Sequence, residues 1–353
     1  MTMQQRTVEK LNALRQFMKQ DGLDGLVITN NIDQFYILGF YFYVGEAVLL
    51  ACENGLYCFT RQLYVEPLQQ KYPFMTVIGQ DKEMAAAAVK QAAQLGLKRV
   101  GFDAAKENYI SGSLFKASGF AEADSYISAL RQVKDEYEIG LLRDSNRIAY
   151  ETYEYIKPLV KTGVSEFEVA AEMEKFMRIK GASATSFLTI IAFGENTANP
   201  HHETSHRKLK DNEAVLMDFG CIYNGYCSDI TRCWWHGDQE PAEYSKIWQI
   251  VDKARRTGIA AEKPGVRAQQ VDAAARAIIG DAGYGEYFTH RLGHGVGLEI
   301  HEEPCNDQTT QAVLKKGNVV TVEPGIYLPG KFGVRLEDTT VVLETGADIL
   351  TRK

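Results

Sequence analysis

The chain has 353 residues, of which 45% are hydrophobic and 24% charged, an ordinary mixture for a folded globular protein. Acidic residues outnumber basic residues by 46 to 39, which gives a formal net charge of −7. Nucleic acids and anionic membranes attract basic surfaces, so this balance argues against either partner, and the apolar content argues against extensive disorder.

The longest apolar stretch, from Gln34 to Gly45, is shorter than the roughly 20 residues that a membrane-spanning helix needs. The N-terminal residues show no apolar core followed by a small-residue cleavage site, so we expect no signal peptide and a cytoplasmic location. The six cysteines form no Cys-x-x-Cys pair, and we expect them to be reduced thiols in packed positions.

The first part of the chain alternates helical and strand patterns. An amphipathic helix is predicted over 6–21 by four apolar residues at helical spacing: Val8, Leu11, Leu14 and Met18. Apolar runs then predict strands over 25–29, 47–50, 57–60 and 100–102, with a helix over 84–95. Strands interleaved with helices are typical of a layered α/β domain, to which we assign residues 1–127.

The pattern changes near residue 128, where longer helices are predicted. Residues 135–156 indicate a charged amphipathic helix, and Ser165 with Glu168 forms a capping box ahead of a second helix that ends near Gly181. We therefore predict a second domain over 128–353, which makes the whole chain a mixed α/β, or α+β, protein. Nearly all of the clustered chemistry lies after residue 190.

Six of the seven histidines fall in two clusters, and clustered histidines favour a metal or acid–base site. The clusters are His201, His202 and His206, and His290, His294 and His301. Glycines at 293, 295 and 297 surround His294, and they favour a loop that leads into a strand rather than a helix. We predict that His294 is a metal ligand, with His301 nearby as a proton carrier.

Residues 215–232 predict a β-hairpin that brings two carboxylates together. An Asn-Gly pair at 224–225 lies between two apolar-rich runs, a strong signal for a type I′ turn. That turn places Asp229 opposite Gly220, with Asp218 two residues along on the same face. Two carboxylates held this close repel, so one must be protonated or a cation must lie between them. The alternative is a pair of solvated aspartates, although the apolar neighbours of Asp218 favour burial.

A second hairpin is predicted over 319–342, with its turn at 328–331. If the glycine of that turn is the midpoint, Glu323 and Glu337 face each other directly. Arg335 shares a strand face with Glu337, but two glutamates against one arginine leave a net negative charge.

Four acidic side chains on two hairpins, together with a histidine, form the ligand set of a two-metal site. Carboxylate-rich sets suit hard or borderline cations, so Mn²⁺ is the first choice, with Co²⁺, Fe²⁺ or Zn²⁺ as alternatives. Two ions about 3.5–4 Å apart can share one water and lower its pKa. The five candidate ligands are Asp218, Asp229, His294, Glu323 and Glu337.

Two other motifs are weaker. His202-Glu-Thr-Ser-His206 matches the HExxH pattern of zinc proteases, which works only on a helix, and its flanks offer no apolar helical face. The alternating glycines around His294 have the wrong spacing for a nucleotide-binding loop.

The order of these motifs resembles that of the pita-bread metallopeptidases, which include methionine aminopeptidase, aminopeptidase P and prolidase. In the catalytic part the resemblance is carried by Ser186-Phe187, Asn199-Pro200-His201, Asp218-Phe219-Gly220, Ser228-Asp229-Ile230-Thr231-Arg232, Gly293-His294-Gly295, Glu323-Pro324-Gly325 and Arg335-Leu336-Glu337-Asp338. The leading part, with Asp24-Gly25-Leu26-Val27-Ile28-Thr29-Asn30 and Tyr36-Ile37-Leu38-Gly39-Phe40, resembles the creatinase-type N-terminal domain of the proline-specific members. The resemblance implies a creatinase-like α/β domain followed by a pita-bread catalytic domain.

The resemblance also implies roles for the matching residues. The five ligands would hold two divalent metal ions, with Asp229 and Glu337 bridging them. Glu323 would also contact the attacking water and act as general base.

A further group would act on the substrate. His201 and His301 would hold the substrate carbonyl and the developing oxyanion, and His290 would be another histidine of the pocket. Tyr327 and Arg335 would orient His301 and the bridging glutamate.

From the resemblance we expect a metal-dependent peptidase that cuts the bond before proline, with a hydroxide that bridges two metals as the nucleophile. A Xaa-Pro dipeptidase is the first choice, because the chain is compact like the shorter prolidase-type members. The alternatives are a Xaa-Pro aminopeptidase that acts on longer peptides and a non-catalytic peptide-binding homologue. The family also implies a short proline-containing peptide as substrate and a homodimer.

Overall fold

The structure is a computed structural model that describes residues 2–352. The chain divides into two compact units, and the division lies between Arg131 and Gln132. Within residues 2–352, none of the helices combines the length and the apolar character that a membrane crossing requires.

The first unit is an α/β layer built on a mixed sheet. Its strands are β1 (Gly25–Ile28), β2 (Ala47–Cys52), β3 (Gly55–Thr60), β4 (Thr76–Gly79), β5 (Val100–Asp103) and β6 (Ala121–Ala123). Its helices are α1 (Met3–Gln20), α2 (Asn31–Leu38), α3 (Gln62–Lys71), α4 (Met84–Gln94), α5 (Tyr109–Ala117) and α6 (Tyr126–Arg131). The strand order is β4-β3-β2-β1-β5-β6, in which the pairs β3–β4, β1–β5 and β5–β6 are parallel and the pairs β1–β2 and β2–β3 are antiparallel. The predicted α/β class of this part is confirmed.

Helix α1 differs in one detail from its predicted apolar face. Val8 is 41% exposed, whereas Thr7 is fully buried. Successive residues of an α-helix are about 100° apart, so a stripe that contains Thr7, Leu11, Leu14 and Met18 leaves Val8 at its edge. The buried Thr7 hydroxyl donates a hydrogen bond to the Met3 carbonyl at 3.1 Å, so its burial leaves no polar group unpaired and has a small free-energy cost.

The second unit contains longer helices and several small sheets. Its α-helices are α7 (Glu136–Ile156), α8 (Glu166–Ile179), α9 (Ala242–Ala261) and α10 (Ala268–Asp281), and its 3-10 helices cover Lys157–Leu159, Gly194–Ala198 and Gly285–Tyr287. Its strands are β7 (Ala184–Thr185), β8 (Ile190–Phe193), β9 (Glu213–Phe219), β10 (Cys221–Tyr223), β11 (Tyr226–Cys227), β12 (Ile230–His236), β13 (Gly293–Gly295), β14 (Glu302–Asn306), β15 (Val319–Val322), β16 (Gly325–Leu328), β17 (Phe332–Arg335), β18 (Asp338–Leu343) and β19 (Gly346–Ile349). The sheets have the orders β11-β10-β7, β12-β9-β8, β14-β13-β15-β18-β19 and β16-β17.

The predicted starts of α7 and α8 are confirmed by their caps. The side chain of Asp135 accepts from the first turn of α7, and Ser165 and Glu168 form the reciprocal capping box of α8. Each box satisfies amide groups that the helix itself leaves unpaired, so these short signals fix where the two helices begin.

The first predicted hairpin has the expected register. Asn224 and Gly225 both have positive φ, 49° and 87°, as a type I′ turn requires. Tyr223 pairs with Tyr226 beside the turn, and Asp218 pairs with Thr231 farther along. The register stays unbroken between these rungs, so the two aspartates lie as predicted relative to the turn.

The second predicted hairpin also forms about its predicted turn. Gly325 pairs with Arg335 on one side of the glutamates, and Val322 pairs with Asp338 on the other. Both rungs belong to the same register, which places Glu323 opposite Glu337 between the two ladders.

Glu262, immediately after α9, is a fully buried acid within this unit. It accepts hydrogen bonds from Thr340 Oγ1 at 2.7 Å and Asn306 Nδ2 at 3.5 Å, and burial raises its pKa to about 8. A glutamate in the unfolded chain titrates near pH 4.3. The folded state therefore binds the proton more tightly than the unfolded state does. The contribution of Glu262 to the free energy of unfolding is greatest below about pH 4 and decreases as the pH rises toward 8.

We expect Glu262→Gln to remove this pH dependence. The difference in melting temperature between the variant and the wild type should shift in favour of the variant when the pH is raised from 5.5 to 8.5. The shift should correspond to a free energy on the order of 3 kcal/mol. Differential scanning calorimetry at both pH values measures the difference. The matched control Glu286→Gln replaces an exposed glutamate and should show no such trend; equal behaviour of both variants would contradict a protonated Glu262.

Candidate active site

One cavity of about 690 Å³ in the second unit collects the predicted site residues. Its walls include all five candidate metal ligands, from five separate stretches of the chain, and four other predicted site residues: His201, His290, His301 and Arg335. Tyr327 contacts two of the wall residues, as described below. The structure thus brings together every residue that the sequence singled out for chemistry.

Three of the candidate ligands that line this cavity lie close to one another. Potential ligand atoms of Asp229, His294 and Glu337 lie within 4.8 Å of one another. Nε2 of His294 is 3.6 Å from Asp229 Oδ2 and 3.3 Å from an oxygen of Glu323. These side chains are close enough for one cation to contact several of them.

His294 is held with its Nε2 toward the carboxylates. Its Nδ1 lies 3.1 Å from the Gly295 carbonyl, which acts as the acceptor and leaves Nε2 free to bind a cation. Its backbone amide donates to Thr321 Oγ1 at 3.0 Å. The glycine at 293 allows this approach, because a Cβ there would lie 1.9 Å from the Thr321 carbonyl oxygen.

Two carboxylates at the site each have one oxygen without a protein partner. Arg335 donates to Oδ2 of Asp218, and Thr231 donates to Oε2 of Glu337 at 2.7 Å. Oδ1 of Asp218 and Oε1 of Glu337 are buried without a hydrogen-bond partner among the described residues. A buried, unpaired carboxylate oxygen is costly, and a cation bound there removes that cost. The donor set therefore fits divalent metal ions.

The electrostatics of the site also favour cations. Burial raises the pKa values of Asp218, Asp229 and Glu337, and repulsion from neighbouring carboxylates raises them further. Burial opposes ionisation of Glu323 as well, but when His294 is protonated its hydrogen bond and its charge outweigh burial and lower the pKa of Glu323 to about 2. Four carboxylates in one cavity thus exceed the positive charge that the protein supplies.

Arg335 and Tyr327 form a hydrogen-bonded network that extends to Asp218 and His290. Arg335 donates to Asp218 on the other hairpin and, at 2.8 Å, to the Tyr327 hydroxyl. That hydroxyl lies 2.8 Å from Nε2 of His290. Arg335 also reaches Glu337 indirectly, because its Nε donates to Thr231 Oγ1 at 3.2 Å and Thr231 donates to Glu337 at 2.7 Å. The expected role of the pair toward His301 stays a prediction.

The remaining histidines line the cavity at different depths. The His301 ring meets the His294 ring edge to face, with centroids 4.4 Å apart. Burial and the nearby His294 lower the pKa of His301 to about 4. Burial also lowers the pKa of His290. His201 lines the cavity and is exposed. It lies shortly after the 3-10 helix over 194–198.

The HExxH-like motif at 202–206 does not lie on a helix. His202 Nε2 lies 2.8 Å from Glu166, and the His206 ring packs against Phe167 with centroids 4.8 Å apart. Without a helix the two histidines do not share a ligand face, which agrees with our rejection of a zinc-protease site.

Three polar side chains that do not line the cavity but hold the segments that do were missed by sequence reasoning. Asp272 on α10 is fully buried and accepts from Arg276 and from the Leu292 amide at 3.0 Å. Arg276 in turn donates to the His290 carbonyl at 2.8 Å, so the pair fixes the segment between His290 and His294. An Asp-x-x-x-Arg pair at helical spacing was the available signal, but it is also common on exposed helices. Glu166 plays a comparable part for the segment that carries His201, since it accepts hydrogen bonds from His202 and Ser205.

Two family models match the chain. Metallopeptidase family M24 matches residues 140–344, and the Creatinase/Prolidase N-terminal domain matches residues 10–133. Both matches confirm the resemblance and the fold class that the sequence predicted.

Proteins of similar sequence and structure cover almost the whole chain. The Xaa-Pro dipeptidase of Pyrococcus furiosus is 34% identical over 344 residues, 98% of each chain. A solved Xaa-Pro dipeptidase from Bacillus anthracis is 35% identical with a TM-score of 0.94, and the match covers 98% of each chain. A solved X-Pro aminopeptidase from Thermotoga maritima is 31% identical with a TM-score of 0.88, and the match covers 97% of this chain and 98% of that one.

Proposed function

Because the chain belongs to metallopeptidase family M24, we propose that this peptidase is a Xaa-Pro dipeptidase that hydrolyses the bond before proline. The observation that carries the proposal is the convergence of five potential ligands in one cavity, where two buried carboxylate oxygens have no other partner among the described residues. Relatives named as Xaa-Pro dipeptidases support the choice of substrate.

The five ligands would hold two divalent metal ions, and Mn²⁺ is our first choice because the set is rich in carboxylates. When bound, the ions would polarise the scissile carbonyl and lower the pKa of the attacking water. Asp218, Asp229, His294, Glu323 and Glu337 are the proposed ligands.

The other cavity residues have proposed roles in binding and proton movement. Glu323 would accept the proton of the attacking water, and His301, beside the ligand His294, would carry a proton to the leaving amine. His201 would stabilise negative charge on the carbonyl oxygen. Tyr327 would hold His290 on the cavity wall through the 2.8 Å contact between them.

A Xaa-Pro aminopeptidase is the second candidate. The cavity continues past the ligands to the apolar side chains of Phe167, Phe187 and Leu188, and Leu188 is 89% exposed. This wall could accept peptide residues beyond the proline. The cavity alone therefore accommodates both substrate lengths.

Substrate comparison tests the proposal. We expect Mn²⁺-loaded protein to cleave a Xaa-Pro dipeptide faster than a Xaa-Pro-Xaa tripeptide and to leave the matched Xaa-Ala dipeptide intact, as measured by chromatography of the released amino acid. Faster cleavage of the tripeptide would favour the aminopeptidase, and no cleavage of either proline substrate would refute the activity. The homodimer and the cytoplasmic location stay predictions.

A further inference from the structure

Glu166, the first residue of α8, is a buried acid outside the proposed ligand set. It has no exposed surface, and its two oxygens accept five hydrogen bonds. One oxygen accepts from the Phe193 amide and Asn196 Nδ2, each at 2.9 Å. The other accepts from His202 Nε2 at 2.8 Å and from the amide and hydroxyl of Ser205 at 2.9 and 2.6 Å.

This arrangement is unusual for a glutamate in the first turn of a helix. Such residues ordinarily face solvent and interact favourably with the helix dipole. Burial opposes ionisation of Glu166, but the hydrogen bonds from Ser205, His202 and Asn196 outweigh it and lower its pKa. All five donors belong to residues 193–205, the segment that carries His201. The carboxylate therefore organises that segment as well as its own helix.

His201 lies between two anchors of this segment. On one side the Pro200 carbonyl accepts from Arg335 Nη1 at 3.3 Å. On the other side the ring of His202 is fixed by Glu166 at 2.8 Å. Because the flanking residues are both held, His201 keeps its place on the cavity wall although it is exposed.

We propose that Glu166 is a positioning residue that sets the place of His201 through the hydrogen bond to His202. This inference rests on the proposed function, in which His201 stabilises the transition state. A group that acts at the reacting carbonyl must be held in place, and partners of such groups typically contribute about 10- to 100-fold.

The test is a kinetic cycle with Glu166→Gln and His201→Ala, using the Xaa-Pro dipeptide. In glutamine, one carboxylate oxygen is replaced by an NH2 group, which donates hydrogen bonds and does not accept them. The partners of that oxygen are themselves donors, so several of the five hydrogen bonds are lost. We expect kcat to fall about 10- to 100-fold with KM and bound metal nearly unchanged. In the His201→Ala background the same substitution should have little further effect, since both variants remove one function.

Glu168→Ala is the matched control. Glu168 lies in the same helical turn and accepts from the amide and hydroxyl of Ser165 at 2.8 and 2.7 Å. Its loss should lower the melting temperature and leave kcat within about twofold of the wild-type value, because its capping bonds involve Ser165 rather than the His201 segment.

A second pair of variants tests the same contact in case Glu166→Gln does not fold. His202→Ala should reproduce the loss of kcat, and His202→Gln, which keeps a donor for Glu166, should restore part of it. Normal kcat in His202→Ala, or additive losses in the cycle, would overturn the positioning role. Failure of the proposed function is distinguishable, because the wild-type protein would then leave the dipeptide intact.

Discussion

His294→Ala should reduce cleavage of a Xaa-Pro dipeptide by at least about 1,000-fold, which corresponds to about 4 kcal/mol of transition-state stabilisation. The imidazole Nε2 lies within 3.6 Å of two carboxylates, and its orientation is fixed by the Gly295 carbonyl. Its removal leaves the acidic side chains without the neutral ligand that completes the set. Mass spectrometry of metals in the purified variant should find less than the wild-type content.

His206→Ala provides the matched control for this experiment. His206 belongs to the HExxH-like motif, is exposed and packs against the ring of Phe167. We expect activity within about twofold of the wild type and unchanged metal content. The opposite pattern, with metal lost in His206→Ala and kept in His294→Ala, would move the metal site to the other histidine cluster.

The pairing of the acidic residues could be predicted because local turn chemistry decides it. An Asn-Gly turn admits one register between its flanking strands, and that register places Asp218 and Asp229 on one hairpin. The turn at Gly330, where φ is 73°, does the same for Glu323 and Glu337. Turn rules that depend only on neighbouring residues were therefore enough to predict both pairs of acidic residues, one on each hairpin.

The partners of these acids could not be predicted because they depend on how distant segments pack. The sequence suggested Glu337 as the neighbour of Arg335, since the two share a strand face, but Arg335 reaches across to Asp218. Glu166 is similar: its position predicts an ordinary helix start, whereas its hydrogen bonds reach residues up to 39 positions away. Such long-range contacts leave no periodic signal in the sequence.

A connection between the two hairpins explains why Arg335 matters beyond its charge. Its guanidinium contacts Asp218 and Thr231, and Thr231 donates to the proposed ligand Glu337 at 2.7 Å. The same group reaches the Tyr327 hydroxyl, which is 2.8 Å from His290. The planar guanidinium has several N–H donors in a fixed arrangement and can bind all of these groups at once, whereas a lysine ammonium cannot reproduce that geometry.

Arg335→Lys should therefore lower kcat/KM about 100-fold while most of the bound metal is retained, which distinguishes it from His294→Ala. The lysine keeps a positive charge beside Asp218, so the buried carboxylate is not left uncompensated and the fold should survive. Tyr327→Phe is the matched partial variant, because it removes the hydroxyl that joins Arg335 to His290 and leaves the contacts of Arg335 with Asp218 and Thr231 in place. We expect a loss of about 10-fold. Wild-type activity in Arg335→Lys would contradict the need for the guanidinium, and parallel loss of metal and activity would assign Arg335 to metal binding instead.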